Sequence, residues 1–345
     1  MYYLKYRPKT IGELDNAQVK EKIKNILESK DLPHAFLFVG QKGTGKTSTA
    51  RIVAKSVNCL GNVFSSKGTS VEPCNKCSNC LAIETASSPD VVELDAASNR
   101  GIDEVRSLIR ESSFSPMTSR FRVYIIDEAH MITHDAFNAL LKTLEEPPAS
   151  VLFILATTNQ EKVPKTISSR CIILNFGKAK KSDILQMLQR ILEKEKVTAT
   201  EEVLQIIAAH SEKSFRDAAK LLEELVIQNK LTSDSAREYL GVRAQESLIQ
   251  ILQEKEMRHA LAWIEEFSNT GGSFKNLLEE MLEELRYALL IKNEVMLPED
   301  VRYSFSIQDI SLLMKLFTEA YNGLRLAPIE SIPLEIAVVE FYNKK

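Results

Sequence analysis

The sequence GQKGTGKT at residues 40–47 lies between an apolar run, AFLFVG, and a segment with helical spacing, TSTARIVAKSV. It contains the complete pattern Gly-x-x-x-x-Gly-Lys-[Ser/Thr], in which backbone N–H groups at a helix N-terminus bind phosphate groups. Gly40, Gly43 and Gly45 permit the close backbone approach and the unusual dihedral angles of such a loop. A glycine turn alone would leave Lys46 unexplained, so the segment predicts a phosphate-binding P-loop.

Two side chains of this loop are expected to carry its chemistry. Lys46 would reach the β- and γ-phosphates of a nucleoside triphosphate as a point charge, and the Thr47 hydroxyl would ligate Mg²⁺. The other loop positions expected to contact the nucleotide are Gly40, Gly43, Thr44, Gly45 and Ser48. The loop therefore predicts a triphosphate that binds together with magnesium.

A second apolar run, at residues 123–126, ends in the adjacent acids Asp127 and Glu128. In this Walker B arrangement Asp127 holds Mg²⁺, usually through water, and Glu128 orients or activates the water that attacks the γ-phosphate. The tetrad Asp-Glu-Ala-His is also a motif of superfamily-2 helicases, although nothing else in the chain supports that class. We expect His130 to be a packed or hydrogen-bonded neighbour and not a catalyst. The acid pair predicts hydrolysis as well as binding.

Two later segments distinguish a ring-forming ATPase from a self-contained one. VLFILATTN at 151–159 is a third buried-strand pattern, and Thr158 or Asn159 at its end is placed to hydrogen-bond the γ-phosphate or the attacking water. ISSRC at 167–171 closes a short helix with Arg170. An arginine at the outer end of that element is placed to enter a neighbour's site and stabilise transition-state charge. Without the surrounding pattern, Arg170 would be interpreted as a surface ion-pair residue.

Seven motifs, in this order, closely resemble the gamma/tau family of the bacterial replicative clamp loader, the ATPase subunits of DNA polymerase III. They are KYRP at 5–8, HAFLFVGQKGTGKTSTAR at 34–51, DAASNRGIDEVR at 95–106, YIIDEAHMI at 124–132, FNALLKTLEEPP at 137–148, FILATTN at 153–159 and SSRC at 168–171. The resemblance is strong over roughly residues 3–240 and weaker beyond. It implies an AAA+ fold and ATP-dependent opening of the ring-shaped sliding clamp, beta. It also implies assembly with delta, delta-prime and further copies of this chain, and action on primed DNA.

Carried over by position, the resemblance implies a role for each site residue. The ATPase set of one subunit would be Lys46, Thr47, Asp127, Glu128 and Thr158. Arg170 would be the finger offered to the neighbouring subunit, and Arg216 the second sensor arginine, which reads the γ-phosphate of ATP from the lid. Arg7 and Pro8, in KYRP, would add further nucleotide contacts. The chain would hydrolyse ATP within the DNA polymerase III holoenzyme, a DNA-directed DNA polymerase, without polymerising DNA itself.

The chain departs from the family pattern at two places. The sequence Asp-Asn-Ala-Gln at 15–18 stands where the family usually carries a Gly-Gln pair, which concerns the contacts to adenine. Lys213 stands where a glycine usually precedes the serine of the lid. Neither position touches the phosphate machinery.

Four of the five cysteines, Cys59, Cys74, Cys77 and Cys80, lie in one short stretch. The spacing Cys-x-x-Cys-x-x-Cys puts thiols on a tight turn, and Cys59 can complete a tetrahedral Cys₄ site with Zn–S bonds of about 2.3 Å. Without an open coordination position, such a Zn²⁺ ion would be structural. Disulfides would need an oxidising compartment, whereas the chain starts at MYYLKYRPK without a signal peptide. Cys171 is expected to be a small buried hydrophobe at the start of a strand.

The composition is that of an ordinary soluble globular protein, with 345 residues, 44% hydrophobic and 26% charged, and no apolar run long enough to span a membrane. The net charge of −3 excludes a chain whose whole surface binds nucleic acid, so any DNA contact must be a local patch. In the family, the segment after DAAS and the helix FNALLKTLEE face duplex DNA. Asn99, Arg100 and Lys142 are therefore candidates, although a solvated position explains each equally well. We expect a cytoplasmic location, at replication forks on the nucleoid.

Apolar runs near 35–40, 90–95, 122–127, 151–157 and 171–176 alternate with helical stretches and predict a parallel α/β sheet. Ligands bind at the carboxyl ends of such strands, where Gly40, Asp127 and Thr158 fall. A helix is expected over 133–145, with Lys142 off its apolar stripe and Pro147-Pro148 beyond its end.

After the basic linker GKAKKSD at 177–183 the pattern becomes entirely helical, with Gly241 marking a boundary and further interruptions at Thr270-Gly271-Gly272 and Pro298. Leu185, Leu188 and Leu192 begin the apolar stripe of a lid. Together with the resemblance, this predicts an AAA+ P-loop domain at 1–178 with a zinc module at about 59–82, a small helical lid domain at 179–241, and an all-α collar for oligomerisation at 242–345.

Two rival functions stay open. A non-hydrolysing structural subunit, like delta-prime, would lack an intact P-loop or the acidic pair, whereas this chain has both. Another AAA+ DNA-processing ATPase, such as a branch-migration translocase, would use pore loops but would not carry the Cys₄ module. A zinc assay separates the second case.

Overall fold

The computed structural model describes residues 1–29, 31–65, 68–98, 101–240, 248–269, 271–295 and 305–344, apart from the side chain of Glu238. Among the features expected from the sequence, the DNA-contact candidates Asn99 and Arg100 lie outside these residues. So do the predicted boundaries at Gly241, Thr270 and Pro298. The described residues form two compact units, Met1–Leu231 and Thr232–Lys345.

The first unit is built on a parallel sheet whose strands are the predicted apolar runs. They are β1 (Ala35–Gly40), β2 (Val91–Asp95), β3 (Arg122–Asp127), β4 (Val151–Thr157) and β5 (Ile172–Gly177). Their order is β2-β3-β4-β1-β5, and every neighbouring pair is parallel. The predicted parallel α/β sheet is confirmed, and each strand agrees with its predicted bounds to within one residue.

Ten helices are described in the first unit. They are α1 (Tyr2–Lys5), α2 (Ala17–Glu28), α3 (Lys46–Asn58), α4 (Ser78–Glu84), α5 (Ile102–Ser112), α6 (His134–Glu145), α7 (Lys165–Ser168), α8 (Lys181–Glu195), α9 (Glu201–His210) and α10 (Phe215–Ile227). Short 3₁₀ helices occur at Val63–Ser65, Ala129–Met131 and Gln160–Lys162.

Both faces of the sheet are buried, because successive side chains of a strand point to opposite faces and helices cover each. Phe36 and Phe38 of β1 belong to one core, together with Ile52 of α3. Leu37 belongs to the other core, together with Leu140 of α6. All five side chains are fully buried. The carboxyl end of β1, and hence the P-loop, is held in the middle of a sheet that is packed on both sides.

Local sequence explains where individual helices begin and which faces they bury. Helix α6 begins after Thr133, whose hydroxyl accepts a hydrogen bond from the Ala136 N–H at 3.4 Å, and it ends before the predicted proline pair. Lys142 is exposed, as predicted. Leu185, which we expected in the apolar stripe of α8, is only partly buried, because the side chains that face the core begin one position earlier in the chain. That face consists of Ile184, Met187, Leu188, Ile191 and Leu192.

The second unit is helical throughout its described part. Its helices are α11 (Ser233–Tyr239), α12 (Leu248–Glu254), α13 (Met257–Asn269), α14 (Phe274–Lys292), α15 (Ile307–Gly323) and α16 (Ile332–Lys344). Helices α12 to α16 share one core, to which α14 contributes Leu278, Met281 and Leu285. Within the described ranges, no helix has the length and apolarity needed to cross a membrane.

Candidate nucleotide site and cysteine cluster

The P-loop joins β1 to α3 and places a buried cation at the start of that helix. Gly43 and Gly45 have φ of +78° and +97°, a left-handed conformation that side chains with a Cβ rarely adopt. Lys46 is 5% exposed, and its Nζ donates to the carbonyl oxygens of Gly40 and Gln41, each at 2.8 Å. Burial lowers the pKa of Lys46, and neighbouring carboxylates oppose this shift. A positive charge at a helix N-terminus, surrounded by loop N–H groups, is an environment that binds phosphate.

The acidic pair lies at the carboxyl end of β3, beside the P-loop. Strand β4 pairs with both β1 and β3, so the ends of the three strands converge. The Thr47 hydroxyl donates to Asp127 Oδ2 at 2.7 Å. Asp127 Oδ1 accepts a hydrogen bond from the Glu128 N–H at 2.9 Å. The two side chains predicted to hold magnesium are therefore in direct contact.

Glu128 is held in place by a small polar cluster. Its backbone is left-handed, with φ 48° and ψ 42°. Its Oε2 accepts from the Thr158 hydroxyl at 3.3 Å and lies 3.4 Å from His130 Nδ1, which is 3.2 Å from the Thr157 hydroxyl. His130 is thus a hydrogen-bonded neighbour, as predicted. Of the two polar candidates after β4, the structure brings Thr158 to Glu128, whereas Asn159 accepts a hydrogen bond from its own loop.

Arg7 and Pro8 lie along the same pocket as the P-loop. Arg7 Nε donates to the hydroxyl of Ser48 at 2.8 Å. Burial, followed by the charges of Arg51 and Arg216, lowers the pKa of Arg7. Arg7 and Arg216 both line the pocket, and their positive charges make this part of it attractive to anions.

Helix α10, in the region predicted to form the lid, contacts the P-loop directly. The N–H groups of Phe215 and Arg216 donate to the Gly43 carbonyl at 3.1 and 3.4 Å, and Arg216 lines the pocket. A Cβ on Gly43 would lie 2.0 Å from Ser214 Oγ, so only glycine fits this approach. Lys213, where the family usually has glycine, has φ +57°, which explains why that position favours glycine.

The sequence patterns did not predict the mostly apolar part of the pocket. Its lining includes Tyr6, Leu14, Val19, Phe176, Met187 and Ile191. These residues come from four separate parts of the chain, so no local motif predicts them. The substituted positions Asp15 and Asn16 also line it. Asp15 forms an ion pair with Arg190 at 2.8 Å, and Asn16 donates to the Phe176 carbonyl at 3.0 Å.

Arg170 is not among the residues that line this pocket. It forms an ion pair with Glu145 of α6, and its guanidinium donates to the Thr166 carbonyl at 2.6 Å. About a third of its side chain is exposed, at 32%. Within one subunit, Arg170 therefore lies on the outer surface, away from the P-loop.

The four clustered cysteines come together as predicted. Their sulfur atoms all lie within 4.8 Å of one another, and Cys59 and Cys80 are buried. Backbone N–H groups point at the sulfurs, with Cys74 N–H to Cys59 Sγ and Cys77 N–H to Cys74 Sγ both at 3.3 Å. Such donors stabilise thiolates, which are the form that binds a metal. The sulfur geometry is compatible with a tetrahedral Cys₄ metal site.

The pKa values of two of the clustered thiols, Cys74 and Cys80, shift in opposite directions. Burial raises the pKa of Cys74, but hydrogen bonds from the N–H groups of Lys76 and Cys77 outweigh it and bring the value to about 6. Burial raises the pKa of Cys80 instead. A cation with a charge of +2 placed among these sulfurs would favour the deprotonated form of all four.

The fifth cysteine does not join the cluster. Cys171 comes directly before β5 and is only partly buried, so the expectation of a fully buried residue was wrong. It packs at the edge of the core that contains Leu140. Burial raises the pKa of its thiol to about 12, which keeps the thiol protonated.

Solved structures similar to this chain share the P-loop sheet and its helices. Thermotoga maritima RuvB, described as a Holliday junction branch migration motor, has a TM-score of 0.50 and 17% identity, covering 75% of this chain and 85% of that one. A variant of the same RuvB has a TM-score of 0.52 and 16% identity, covering 80% and 91%. At this identity the likeness concerns the fold alone.

Curated relatives are much more similar in sequence. DNA polymerase III subunit gamma of Buchnera aphidicola (subsp. Baizongia pistaciae) is 34% identical, covering 98% of this chain and 95% of the relative. DNA polymerase III subunit tau of Bacillus subtilis is 37% identical, covering 84% of this chain and 52% of the relative. A family model described as DNA polymerase III, delta subunit, matches residues 15–180. The chain therefore belongs to the gamma/tau family of DNA polymerase III subunits.

Proposed function

We propose that the chain is the AAA+ ATPase motor subunit of a bacterial replicative clamp loader. In this role it uses ATP binding and hydrolysis to load the ring-shaped sliding clamp onto primed DNA. The observation that carries the proposal is the arrangement of Lys46, Thr47, Asp127 and Glu128 at one end of a single pocket, in a chain of the gamma/tau family. Nucleotide binding without hydrolysis would not require Glu128 beside the Thr47–Asp127 pair.

The binding step follows from the P-loop. Lys46 exchanges its two carbonyl acceptors for oxygens of the β- and γ-phosphates, and backbone N–H groups at the start of α3 contact the same phosphates. Thr47 and Asp127, already joined at 2.7 Å, are the residues that would hold Mg²⁺. When bound, Mg²⁺ supplies positive charge to the phosphate oxygens.

Hydrolysis depends on how Glu128 is positioned. A water oxygen attacks the γ-phosphorus, the bond from that phosphorus to the bridging oxygen of ADP breaks, and the water gives up a proton. Glu128 orients this water and accepts its proton. The hydroxyl of Thr158, 3.3 Å from Glu128 Oε2, is placed to hold the carboxylate or to contact the γ-phosphate.

Two arginines are proposed to report the nucleotide state to other parts of the assembly. Arg216 lies in the lid helix next to the P-loop and lines the pocket, so it can contact the γ-phosphate within the same subunit. Arg170 lies on the outer surface, paired with Glu145. It would leave Glu145 and stabilise transition-state charge in the neighbouring subunit's site.

The partners follow from family membership and remain part of this proposal. They are delta, delta-prime, further copies of this chain, the beta clamp and primed DNA, with Lys142 of α6 as a DNA-facing candidate. DNA polymerisation would belong to other subunits of the holoenzyme. We place the protein in the cytoplasm and at replication forks. We also propose that residues 1–178, 179–241 and 242–345 act as AAA+ domain, lid and collar.

Zinc is the metal proposed for the cysteine cluster. All four ligands would be sulfur, held by Cys59, Cys74, Cys77 and Cys80, and a closed Cys₄ set is typical of structural zinc. The ion would be structural because no coordination position is left for a substrate.

Each of the two rival functions has one observation in its favour and one that it leaves unexplained. A branch-migration motor is favoured by likeness to RuvB, but that likeness concerns the fold at 16–17% identity and does not account for the clustered cysteines. A non-hydrolysing structural subunit is favoured by the delta-subunit family model. It does not account for the contacts that Glu128 makes with Thr158 and His130.

The test is to measure binding and hydrolysis of ATP separately. We expect the wild-type chain to bind ATPγS with Mg²⁺, and Lys46→Ala to lose this affinity by at least roughly 10-fold, because the buried cation is removed. Lys22→Ala, at an exposed lysine of α2 that does not line the pocket, serves as the control and should bind normally. Equal binding by wild type and Lys46→Ala would overturn the proposal.

A further inference from the structure

The segment that lines the pocket near the P-loop is held from outside the pocket. We name residues 7–16 the strap. Arg7 and Pro8 at its start and residues 14–16 at its end line the nucleotide pocket. Residues 9–12, between these two stretches, do not line the pocket. Lys9, Ile11 and Gly12 contact the stretch whose described residues, 59–65 and 68–84, we name the cysteine module.

The first contact is a carboxylate that holds two backbone N–H groups. Glu72 accepts hydrogen bonds from Ile11 N–H at 2.7 Å and from Gly12 N–H at 2.8 Å, using a different oxygen for each. Ile11 is 1% exposed, so the strap is anchored in the core at this point. Hydrogen bonds to a charged acceptor are among the stronger ones in proteins. Glu72 therefore fixes both the direction and the position of the strap.

The second contact involves the turn between two cysteines. Asn75, between Cys74 and Cys77, donates to the Lys9 carbonyl at 3.2 Å and accepts from Lys55 Nζ at 2.8 Å. The Lys55 side chain is 2% exposed and also pairs with Glu84 at 2.9 Å. Lys55 belongs to α3, the helix that begins at the P-loop. One asparagine thus joins the strap to the P-loop helix.

The module is itself attached to the end of α3 by buried amides. Asn79 donates to the Asn58 carbonyl at 3.0 Å, and Asn62 donates to the Ser56 carbonyl at 2.7 Å. Both asparagine side chains are buried. The module, the strap and the P-loop helix therefore form one hydrogen-bonded body around one side of the nucleotide pocket.

We propose that the cysteine module, through Glu72 and Asn75, positions the strap for nucleotide binding, so that the affinity for ATP depends on the integrity of the cysteine cluster. The inference rests on the proposed function, because it takes the ligand of the pocket to be ATP. Glu72 and Asn75 are positioning residues: neither lines the pocket. Their effect reaches the nucleotide through Arg7, whose Nε contacts Ser48 in the first turn of α3.

The test uses the full chain and three kinds of variant. Glu72→Ala removes both acceptors, and Glu72→Gln retains one neutral oxygen. Asn75→Gly removes the amide and keeps the φ of +54° that Asn75 has, which glycine adopts without strain. Lys76→Ala is the matched control, since Lys76 is an exposed neighbour in the same turn.

Two quantities are measured for each variant: hydrogen exchange of a peptide that includes Ile11 and Gly12, and the dissociation constant for ATPγS with Mg²⁺. We expect Glu72→Ala and Asn75→Gly to speed exchange and to weaken binding by roughly 3- to 10-fold, because only molecules with the strap in place bind well. Glu72→Gln should be intermediate, and Lys76→Ala should equal wild type. Removing the cluster's metal with a chelator should weaken wild-type binding similarly and add little to Glu72→Ala.

The outcomes separate this inference from the proposed function. Wild-type affinity in both Glu72→Ala and Asn75→Gly, or weakened affinity without faster exchange, would overturn the inference and leave ATP binding intact. If Glu72→Ala does not fold, Asn75→Gly and Glu72→Gln still decide. Failure of the wild-type chain to bind ATPγS would instead overturn the proposed function, and the inference with it.

Discussion

Glu128 adopts a backbone conformation that glutamate rarely takes. A glutamate gains nothing from a left-handed backbone, which typically costs about 1–3 kcal/mol, yet Glu128 has φ 48°. The backbone N–H is bound by Asp127 and the carboxylate by Thr158 and His130. These contacts hold the carboxylate beside the Thr47–Asp127 pair. This placement is the one that the proposed role of Glu128 in hydrolysis requires.

Replacing Glu128 with glutamine should separate binding from chemistry. Glu128→Gln keeps the shape and the hydrogen bond from Thr158 but removes the proton acceptor, so we expect ATP binding to persist and kcat to fall about 100-fold or more. Steady-state phosphate release at saturating ATP measures this. Glu146→Gln, an exposed glutamate after α6, controls for loss of charge. A Glu128→Gln variant with wild-type kcat would exclude Glu128 as the base.

Asp15 predicts a pH dependence of stability. Its side chain is 9% exposed, and burial raises its pKa to about 6 although Arg190 opposes the shift. The folded protein therefore holds this proton more tightly than the unfolded chain, whose ordinary value is 3.8. Protonation of Asp15 should therefore raise the free energy of unfolding as pH falls from about 6 to 4, by at most about 1.4 kcal/mol per pH unit.

The comparison with Asp15→Asn isolates this contribution. Asparagine does not titrate, so the difference in unfolding free energy between wild type and variant should change steadily between pH 4 and 6 and level off above. Urea unfolding at a series of pH values supplies the data. Two parallel curves across this range would show that Asp15 has an ordinary pKa in the folded state.

The P-loop and the lid helix α10 act as one element at Gly43. Two N–H groups of α10 bind the Gly43 carbonyl, and Ser214 occupies the space where a Cβ would lie. We therefore expect phosphate binding at the loop to be coupled to the position of α10. The P-loop pattern requires glycine here because of Ser214, a residue that lies about 170 positions further along the chain.

Gly43→Ala should disturb the lid more than the sheet. Its Cβ would lie 2.0 Å from Ser214 Oγ, and its φ of +78° would strain any residue with a Cβ. We expect ATP affinity to fall at least about 10-fold. Adding Ser214→Gly, a change tolerated at a helix N-cap, should restore part of the affinity. The absence of any loss in Gly43→Ala would contradict the coupling.

The cysteine cluster makes a prediction that needs no activity assay. Metal analysis of the purified chain should find about one zinc ion per molecule. Cys77→Ser should lose it and lower the melting temperature, because structural zinc contributes directly to folding. Cys171→Ser should keep the zinc, since that thiol lies apart from the cluster. A wild-type chain free of zinc would leave the cluster as four reduced thiols and remove one argument against a translocase.

For the whole molecule, the sequence predicted what local patterns determine. GQKGTGKT and the acids after residues 123–126 each follow an apolar run, so the sequence predicted the sheet and brought these two motifs together at the carboxyl ends of its strands. The mostly apolar part of the pocket could not be predicted, since Leu14, Phe176 and Met187 meet only in the folded chain. No periodic sequence pattern predicts the contact between Glu72 and the strap either. It joins a carboxylate to backbone N–H groups, which any residue could supply.

The central claim, a motor whose site is completed by a neighbour, is tested most directly by ATPase measurements on the assembled complex. The chain, with delta, delta-prime and the clamp, is compared with and without primed DNA, as wild type, Arg170→Ala and Lys165→Ala. Lys165 is an exposed cation of α7, the helix that ends just before Arg170, and controls for lost charge. We predict that clamp and primed DNA stimulate wild type and Lys165→Ala, whereas Arg170→Ala binds ATP but loses the stimulation. Equal turnover in wild type and Arg170→Ala, indifferent to clamp and DNA, would contradict the account.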